Sequence, residues 1–340
     1  MTTNNVCLVG GSGFIGTRLA RRLKISGSSF NIVDREQSTV YQKRWIKGDV
    51  RKQTDLRELV PYDCTLVNLA AEHRDDVRPV SRYDEVNVEG AQNLCEVAAE
   101  KGIERIVFTS TVAVYGFAPA GTDESGEINY FNDYGRTKWL AEEVYREWQA
   151  EDPQRRSLVI IRPTVVFGEQ NRGNVYNLLR QIASGRFVMV GNGANRKSMA
   201  YVENVAAFLE YSLSFPPGVH VYNYIDKPDF DMNGLVSVVR GLLKSNSRGE
   251  SNRGFNGWLR LPYALGLAAG YVFDGLALAT GRTLPISSIR VKKFCATTQF
   301  ETSVAKTGFV PPVPLKEGLE RTVRHEFLED HSGKQEFFTE

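Results

Sequence analysis

Close cysteine pairs are missing from this sequence. Its four cysteines, Cys7, Cys64, Cys95 and Cys295, are scattered over 340 residues. That scatter provides neither the short spacings of a metal site nor the framework of a small disulfide scaffold. They read as reduced packing residues, and no metal is expected. Basic runs interleaved with aromatics are also missing: 42 Lys and Arg stand against 40 Asp and Glu, a net charge of +2. The charge balance gives no support for nucleic-acid binding. No basic, apolar leader precedes the first strand-like stretch, since the chain opens Met1-Thr2-Thr3-Asn4-Asn5; a cytoplasmic location is expected. Long apolar runs are scarce. The nearest is Leu261–Thr280, about the length that spans a bilayer, but it carries Pro262 and Asp274. No transmembrane span is expected there. A buried or substrate-covering helix pair is the plain reading, and interfacial membrane contact is the alternative.

What is present is globular and rhythmic. With 42% hydrophobic and 24% charged residues, the chain has ordinary folding composition, and its length suits two domains or one elaborated unit. Short β-rich runs at Val6–Val9, Phe30–Val33, Leu66–Leu69, Ile106–Phe108 and Leu158–Ile161 alternate with amphipathic stretches. Parallel strands need helical crossovers, so this alternation predicts an α/β, doubly wound parallel sheet. The rhythm loosens after Arg162, which predicts a smaller substrate-binding cap. Ser245–Gly254 reads as an exposed loop, and His331–Glu340 is expected to fray.

Directly after the first run comes Gly10-Gly11-Ser12-Gly13-Phe14-Ile15-Gly16. Strand, glycine turn and helix occur in the order that dinucleotide binding requires: Gly10 for the tight turn, Gly13 for close approach to a pyrophosphate, Gly16 for helix packing. Phe14 and Ile15 fall in the same loop. Asp34 follows 18 residues after Gly16, where such folds place a carboxylate for the ribose hydroxyls. It would repel a 2′-phosphate and so favours NAD, although Arg35 offers a contrary cation. Asp49-Val50 follows a third strand-like run and is a candidate to flank the adenine; a simple turn is the other reading.

Tyr134 and Lys138 lie four residues apart at the start of a helical pattern, hence on one face. A phenol beside an ammonium ionises more easily and can take a proton from an alcohol. Thr109-Ser110-Thr111-Val112 follows the Ile106–Phe108 run, at the carboxyl ends of the strands, where open α/β sheets bind ligands. Thr111 is placed to bond a reacting oxygen.

Together with Asn68-Leu69-Ala70-Ala71, Asn87-Val88-Glu89-Gly90, Val114-Tyr115-Gly116 and Arg162-Pro163, these motifs resemble the extended short-chain dehydrogenase/reductase family. The likeness is narrower still to its NAD-dependent nucleotide-sugar epimerases, dehydratases and ketoreductases. The resemblance implies a Rossmann domain over 1–165 and a cap over 166–330 that can return elements to the main domain, followed by a tail over 331–340. It implies Tyr134 as general base and Lys138 on the nicotinamide ribose. Thr111 would orient the substrate hydroxyl, Leu69, Ala70 and Ala71 would line the pyrophosphate path, and Asn87 would brace the site. Ser110 and Pro163 complete the cofactor set.

Dehydratases of this family carry an acidic pair after the active-site threonine; here Val112 and Ala113 stand there, and neither exchanges protons. The expectation is therefore C4 epimerisation through a transient 4-keto sugar. A 4-ketoreductase, a 3β-hydroxysteroid dehydrogenase-like enzyme and a non-enzymatic NAD sensor are the alternatives. His73, Thr111, Val112, Asn174, Arg196 and Lys197 are the candidate substrate contacts, the last two for a diphosphate, with a UDP-linked sugar as the expected ligand. Val165 stands where many relatives have asparagine. Helical stretches Val86–Glu100 and Tyr134–Gln149 are the expected homodimer interface.

Overall fold

The computed structural model describes residues 5–74, 77–246, 259–280, 287–331, 333 and 335–339. All five β-rich runs form strands of one seven-stranded parallel sheet, in the order β10-β6-β5-β4-β1-β2-β3. These strands are β1 (Asn5–Val9), β2 (Ser29–Asp34), β3 (Trp45–Lys47), β4 (Thr65–Asn68), β5 (Arg105–Thr109), β6 (Ser157–Pro163) and β10 (Gly218–Tyr224). The continuous apolar character of the strands follows from burial on both faces. In β1, Val6 and Leu8 join one core layer while Cys7 and Val9 join the other, the two-residue alternation of a pleated strand.

Helices α1 (Phe14–Ile25) and α7 (Val202–Ser212) cover one face, burying Leu19, Leu23, Val205 and Leu209. The other face is covered by α2 (Gln53–Leu59), α4 (Gly90–Glu100) and α5 (Asp133–Ala150), which contribute Leu56, Leu94, Tyr145 and Trp148. A short α3 (Ser81–Tyr83) leads into α4 through a π-helical segment, Asp84–Glu89. Helix α1 stops where Gly27 takes φ +75°, a conformation that disfavours any residue with a Cβ.

The cap is built from β7 (Val165–Phe167), α6 (Asn174–Ala183), β8 (Val188–Val190), β9 (Arg196–Tyr201), β11 (Asp226–Asp231), α8 (Met232–Asn246), β12 (Leu259–Leu261), α9 (Tyr263–Thr280), α10 (Ser288–Cys295) and α11 (Leu315–Phe327). Its core gathers Leu179, Met189, Val236 and Leu319. The chain division near residue 165 is not a spatial one, because α7 and β10 lie beyond it and complete the main sheet.

Two further segments are placed by the structure. The C-terminal segment does not simply fray: Phe337 is buried, its N–H donates to Gln170 O, and its carbonyl accepts from Arg172 N. Most of the Leu261–Thr280 segment forms α9, packed on one side among the described residues; Leu265, Val272, Leu276 and Leu278 are exposed. Among the described residues no helix is long and apolar enough to cross a membrane. Ser245–Gly254 lies outside the described residues except for Ser245 and Asn246, which end α8, and Asp75-Asp76 also lies outside them.

Candidate active site

The glycine loop joins β1 to α1 at the carboxyl edge of the sheet. Gly10 takes φ +75°, and a Cβ there would stand 2.4 Å from Ala70 N. At Gly16 a Cβ would meet the Gly11 carbonyl oxygen at 2.5 Å. Both glycines are therefore demanded by the protein's own packing. Gly13 is different: the nearest atom to its Cβ position is Gly10 O at 3.7 Å. That leaves space for a ligand to approach the backbone, and the buried Ser12 hydroxyl beside it lies near the Asp34 carboxylate. Open backbone at a helix N-terminus fits a pyrophosphate, and these residues fit NAD.

Asp34 closes the loop. Its Oδ2 accepts from Ser12 N–H at 2.9 Å and its Oδ1 from Glu36 N–H at 3.0 Å. Burial raises its pKa against those two bonds. Arg35 is exposed. Asp49 is buried, and although burial works the other way, the Arg51 guanidinium at 2.6 Å holds its carboxyl below the usual range. Val50 is buried against Gly90, so it supports α4. Leu69, Ala70 and Ala71 run from the end of β4 alongside the glycine turn, with Leu69 N–H donating to Val9 O at 2.8 Å. Phe14 and Ile15 open α1 and pack toward the cap core. Pro163 ends β6, buried beside Tyr224.

Asn87 is buried and bridges two elements. Its Oδ1 accepts from Glu72 N–H, and its Nδ2 donates to Glu72 O and to Thr137 Oγ1, all within 3.0 Å. The bend carrying His73 is thereby tied to α5. His73 Nε2 is buried with no partner. Burial holds its imidazole below the ordinary pKa, and the charge of Lys138 acts in the same direction.

Helix α5 starts where Asn132 Oδ1 accepts from Gly135 N–H at 2.9 Å, a side-chain N-cap. Gly135 lets the helix approach the turn after β5: a Cβ there would lie 2.5 Å from Ala113 O. That approach brings Tyr134 near Thr111, whose side chain favours the ionised phenol. Thr111 itself caps the turn over Val112–Tyr115 by accepting from Ala113 N–H at 3.1 Å. Burial pushes the half-buried Tyr134 phenol up to about 12, opposed by the Thr111 side chain. Lys138, only 2% exposed, has its Nζ 4.1 Å from the centre of the Phe108 ring. Desolvation lowers its pKa to about 7, opposed by Glu142.

Glu142 was not singled out by sequence reasoning. It is fully buried one turn beyond Lys138, and its carboxylate accepts from Ser110 Oγ at 2.5 Å and from Arg162 at 2.5 and 2.8 Å. Arg162 also donates to Tyr115 Oη at 2.6 Å, and that phenol donates to Asn223 Oδ1. Three strand ends and α5 are thus joined through one buried charge pair. The available signal was the Tyr134-Lys138-Glu142 spacing, three residues on one helical face.

The proposed diphosphate pair is separated in role. Lys197 donates to Lys293 O and Ala296 O at 2.9 and 2.6 Å, so it fastens the C-terminal end of α10. Desolvation lowers its pKa to about 8. Arg196 remains exposed, and Asn174 is the exposed first residue of α6. Lys293 Nζ of α10 lies 4.9 Å from the ring centre of Phe131, which precedes Tyr134 by three residues in the chain. Beside α10 is a cavity of about 750 Å³, lined by Asn192, Asn195, Arg260, Tyr263, Lys292 and Cys295 among others.

Comparison with known proteins gives a consistent picture. The chain is 50% identical, over 96% of both lengths, to the N-acetyl-α-D-glucosaminyl-diphospho-ditrans,octacis-undecaprenol 4-epimerase of Escherichia coli O157:H7. The fold matches that of MoeE5 solved with UDP-glucose and NAD, at 24% identity and TM-score 0.69 over 95% of this chain and 98% of the other. It also matches the UDP-glucose 4-epimerase of Thermotoga maritima, at 19% identity and TM-score 0.71 over 96% and 100%. The NAD dependent epimerase/dehydratase family pattern covers residues 6–223, and the chain belongs to that family of NAD-dependent enzymes.

Proposed function

We propose that this enzyme inverts C4 of an N-acetylhexosamine joined through a diphosphate to a polyprenol. The observation that carries the reading is the 50% identity, over nearly the whole of both chains, to an epimerase named for that class of substrate. The cap supports it: Arg260 and Lys292 line the cavity next to α10, a setting suited to a diphosphate.

Bound NAD supplies the hydride acceptor and donor at C4. Tyr134 takes the proton of the C4 hydroxyl and later returns it. Thr111, beside that phenol, holds the substrate oxygen in line. Lys138 favours the phenolate electrostatically, from one helical turn away. Val112 and Ala113 carry no titratable group, so nothing at those positions draws a proton from C5, and the keto sugar is left to turn over and be reduced on its other face. Balanced return of the hydride distinguishes this from a ketoreductase or a sterol dehydrogenase, each of which leaves net cofactor change.

The test is incubation of the purified protein, in detergent, with undecaprenyl diphosphate N-acetylglucosamine and separately with UDP-N-acetylglucosamine, scoring N-acetylgalactosamine after acid release. Conversion of the lipid-linked sugar without net NADH formation is expected, with Tyr134→Phe lowering the rate at least ~100-fold at unchanged melting temperature. Conversion of the UDP-linked sugar alone would overturn the lipid-linked reading.

A further inference from the structure

Helix α9 breaks the usual rule for a surface helix. A helix at the edge of a globular protein shows a charged face to water and an apolar stripe to the core. Here the 18 residues Tyr263–Thr280 contain a single charged side chain, Asp274, and it points inward, accepting from Ser288 N–H at 3.1 Å. The inward side is also where the helix comes closest to its neighbours: a Cβ on Gly266 would meet Val190 at 2.5 Å, and one on Gly270 would meet Ser288 at 2.7 Å. These three positions, four apart, form the packed stripe. The opposite side carries Leu265, Val272 and Leu276 in line, flanked by Tyr271 and Leu278, and Leu278 is 89% exposed. Contiguous apolar surface of this kind marks a docking site.

The charge around it identifies what docks. Among the described residues from Leu259 to Phe300 there are four cations, Arg260, Arg290, Lys292 and Lys293, and one acid, Asp274, in a chain whose overall charge is only +2. Helix α10, packed on α9, carries three of these cations, and Lys292 Nζ lies 5.5 Å from the centre of the Tyr271 ring. An uncharged apolar face with tyrosines at its flank and cations beside it is the pattern of a helix lying in a bilayer interface, its apolar side among acyl chains and its cations among anionic headgroups.

We propose that α9 and α10 form an in-plane docking surface for an anionic lipid bilayer. The substrate cleft would then sit at the membrane, since α10 also reaches Phe131, which precedes Tyr134 by three residues in the chain. The inference rests on the lipid-linked reading for its purpose, but its evidence is the surface itself.

The experiment is flotation of the full-length protein with phosphatidylcholine vesicles containing 30% phosphatidylglycerol, and with pure phosphatidylcholine. Wild type should float with the anionic vesicles and at least ~10-fold less with the neutral ones. The double variant Val272→Glu/Leu276→Glu, on a face that contacts no site residue, should lose at least ~10-fold in vesicle binding. It should keep its rate on N-acetylglucosaminyl diphosphate bearing a short, water-soluble alkyl chain. Absence of flotation by wild type, or equal flotation by the double variant, overturns the proposal. So does a result in which the variant instead converts a dimer to a monomer in sedimentation, which would make the face a contact with a second copy. Flotation without any turnover of the undecaprenyl substrate would uphold the docking surface and sink the substrate reading, so the two failures are separable.

Discussion

Lys138 is an ammonium buried beside an aromatic ring, and the carboxylate one turn away from it is already committed to Ser110, Arg162 and Arg146. Desolvation therefore dominates and brings its pKa from the ordinary 10.5 to about 7. The consequence for stability has a definite sign. Between pH 7 and 10.5 the unfolded chain holds a proton on this residue that the folded chain has released, so stability rises with pH across that window. Below pH 7 both states are protonated and the burial penalty is complete. Lys138→Met should accordingly stabilise the cofactor-free protein at pH 6 by roughly 3–5 kcal/mol, at about 1.4 kcal/mol per pK unit, while abolishing epimerisation. Urea unfolding at pH 6 and pH 10 checks this, since the advantage of the variant should shrink at the higher pH. An equal advantage at both would show that packing, not charge, is responsible. Tyr134 is shifted the opposite way, up to about 12, so both members of the pair are held toward their neutral forms until something changes the local field. Opposed shifts on neighbouring groups are a mark of chemical sites.

At the scale of elements, α5 connects the chemistry to the sheet. One face carries Tyr134, Lys138 and Glu142 in successive turns, and Glu142 anchors that face to Arg162 of β6. Glu142→Gln leaves a guanidinium buried with its charge uncompensated, and should cost about 3–5 kcal/mol in urea unfolding. Adding Arg162→Met should recover part of that loss, because removing both charges is far less costly than removing one. If the double variant is as unstable as the sum of the singles, the pair is not coupled.

Much of this element was legible beforehand: the four-residue spacing of Tyr134 and Lys138 and the position of Thr111 after a strand are local patterns. So were the five central strands, whose apolar runs are short and bounded by turns. Glu142 was not legible, because a glutamate on a helix ordinarily faces water and its partner lies 20 residues away on another strand. Lys197 shows the same limit: a basic residue beside a strand suggested phosphate, and its bonds to the carbonyls that end α10 were not foreseen. Both outcomes depend on long-range neighbours that no local spacing encodes.

For the whole molecule, the chain crosses between its two halves repeatedly, with α7 and β10 rejoining the main sheet and the last residues returning to the mouth of the glycine loop. The polar character of His331–Glu340 pointed to fraying, yet Phe337 sits inside that tail and outweighs it. Its ring centre is 5.7 Å from that of Phe14, the first residue of α1, and Glu336 pairs with Arg172 at 2.6 Å. The segment therefore links the cap to the helix whose N-terminus faces the proposed pyrophosphate position. Phe337→Ala should lower stability by about 3 kcal/mol, as expected for truncating a buried phenylalanine. It should also weaken NAD binding, because Phe14 loses the ring that fixes it. A calorimetric titration with NAD, run beside thermal unfolding, separates the two effects. Both should fall together; a variant that loses stability but binds NAD as tightly as wild type would confine the tail to a purely structural part and leave the loop organised by the sheet alone.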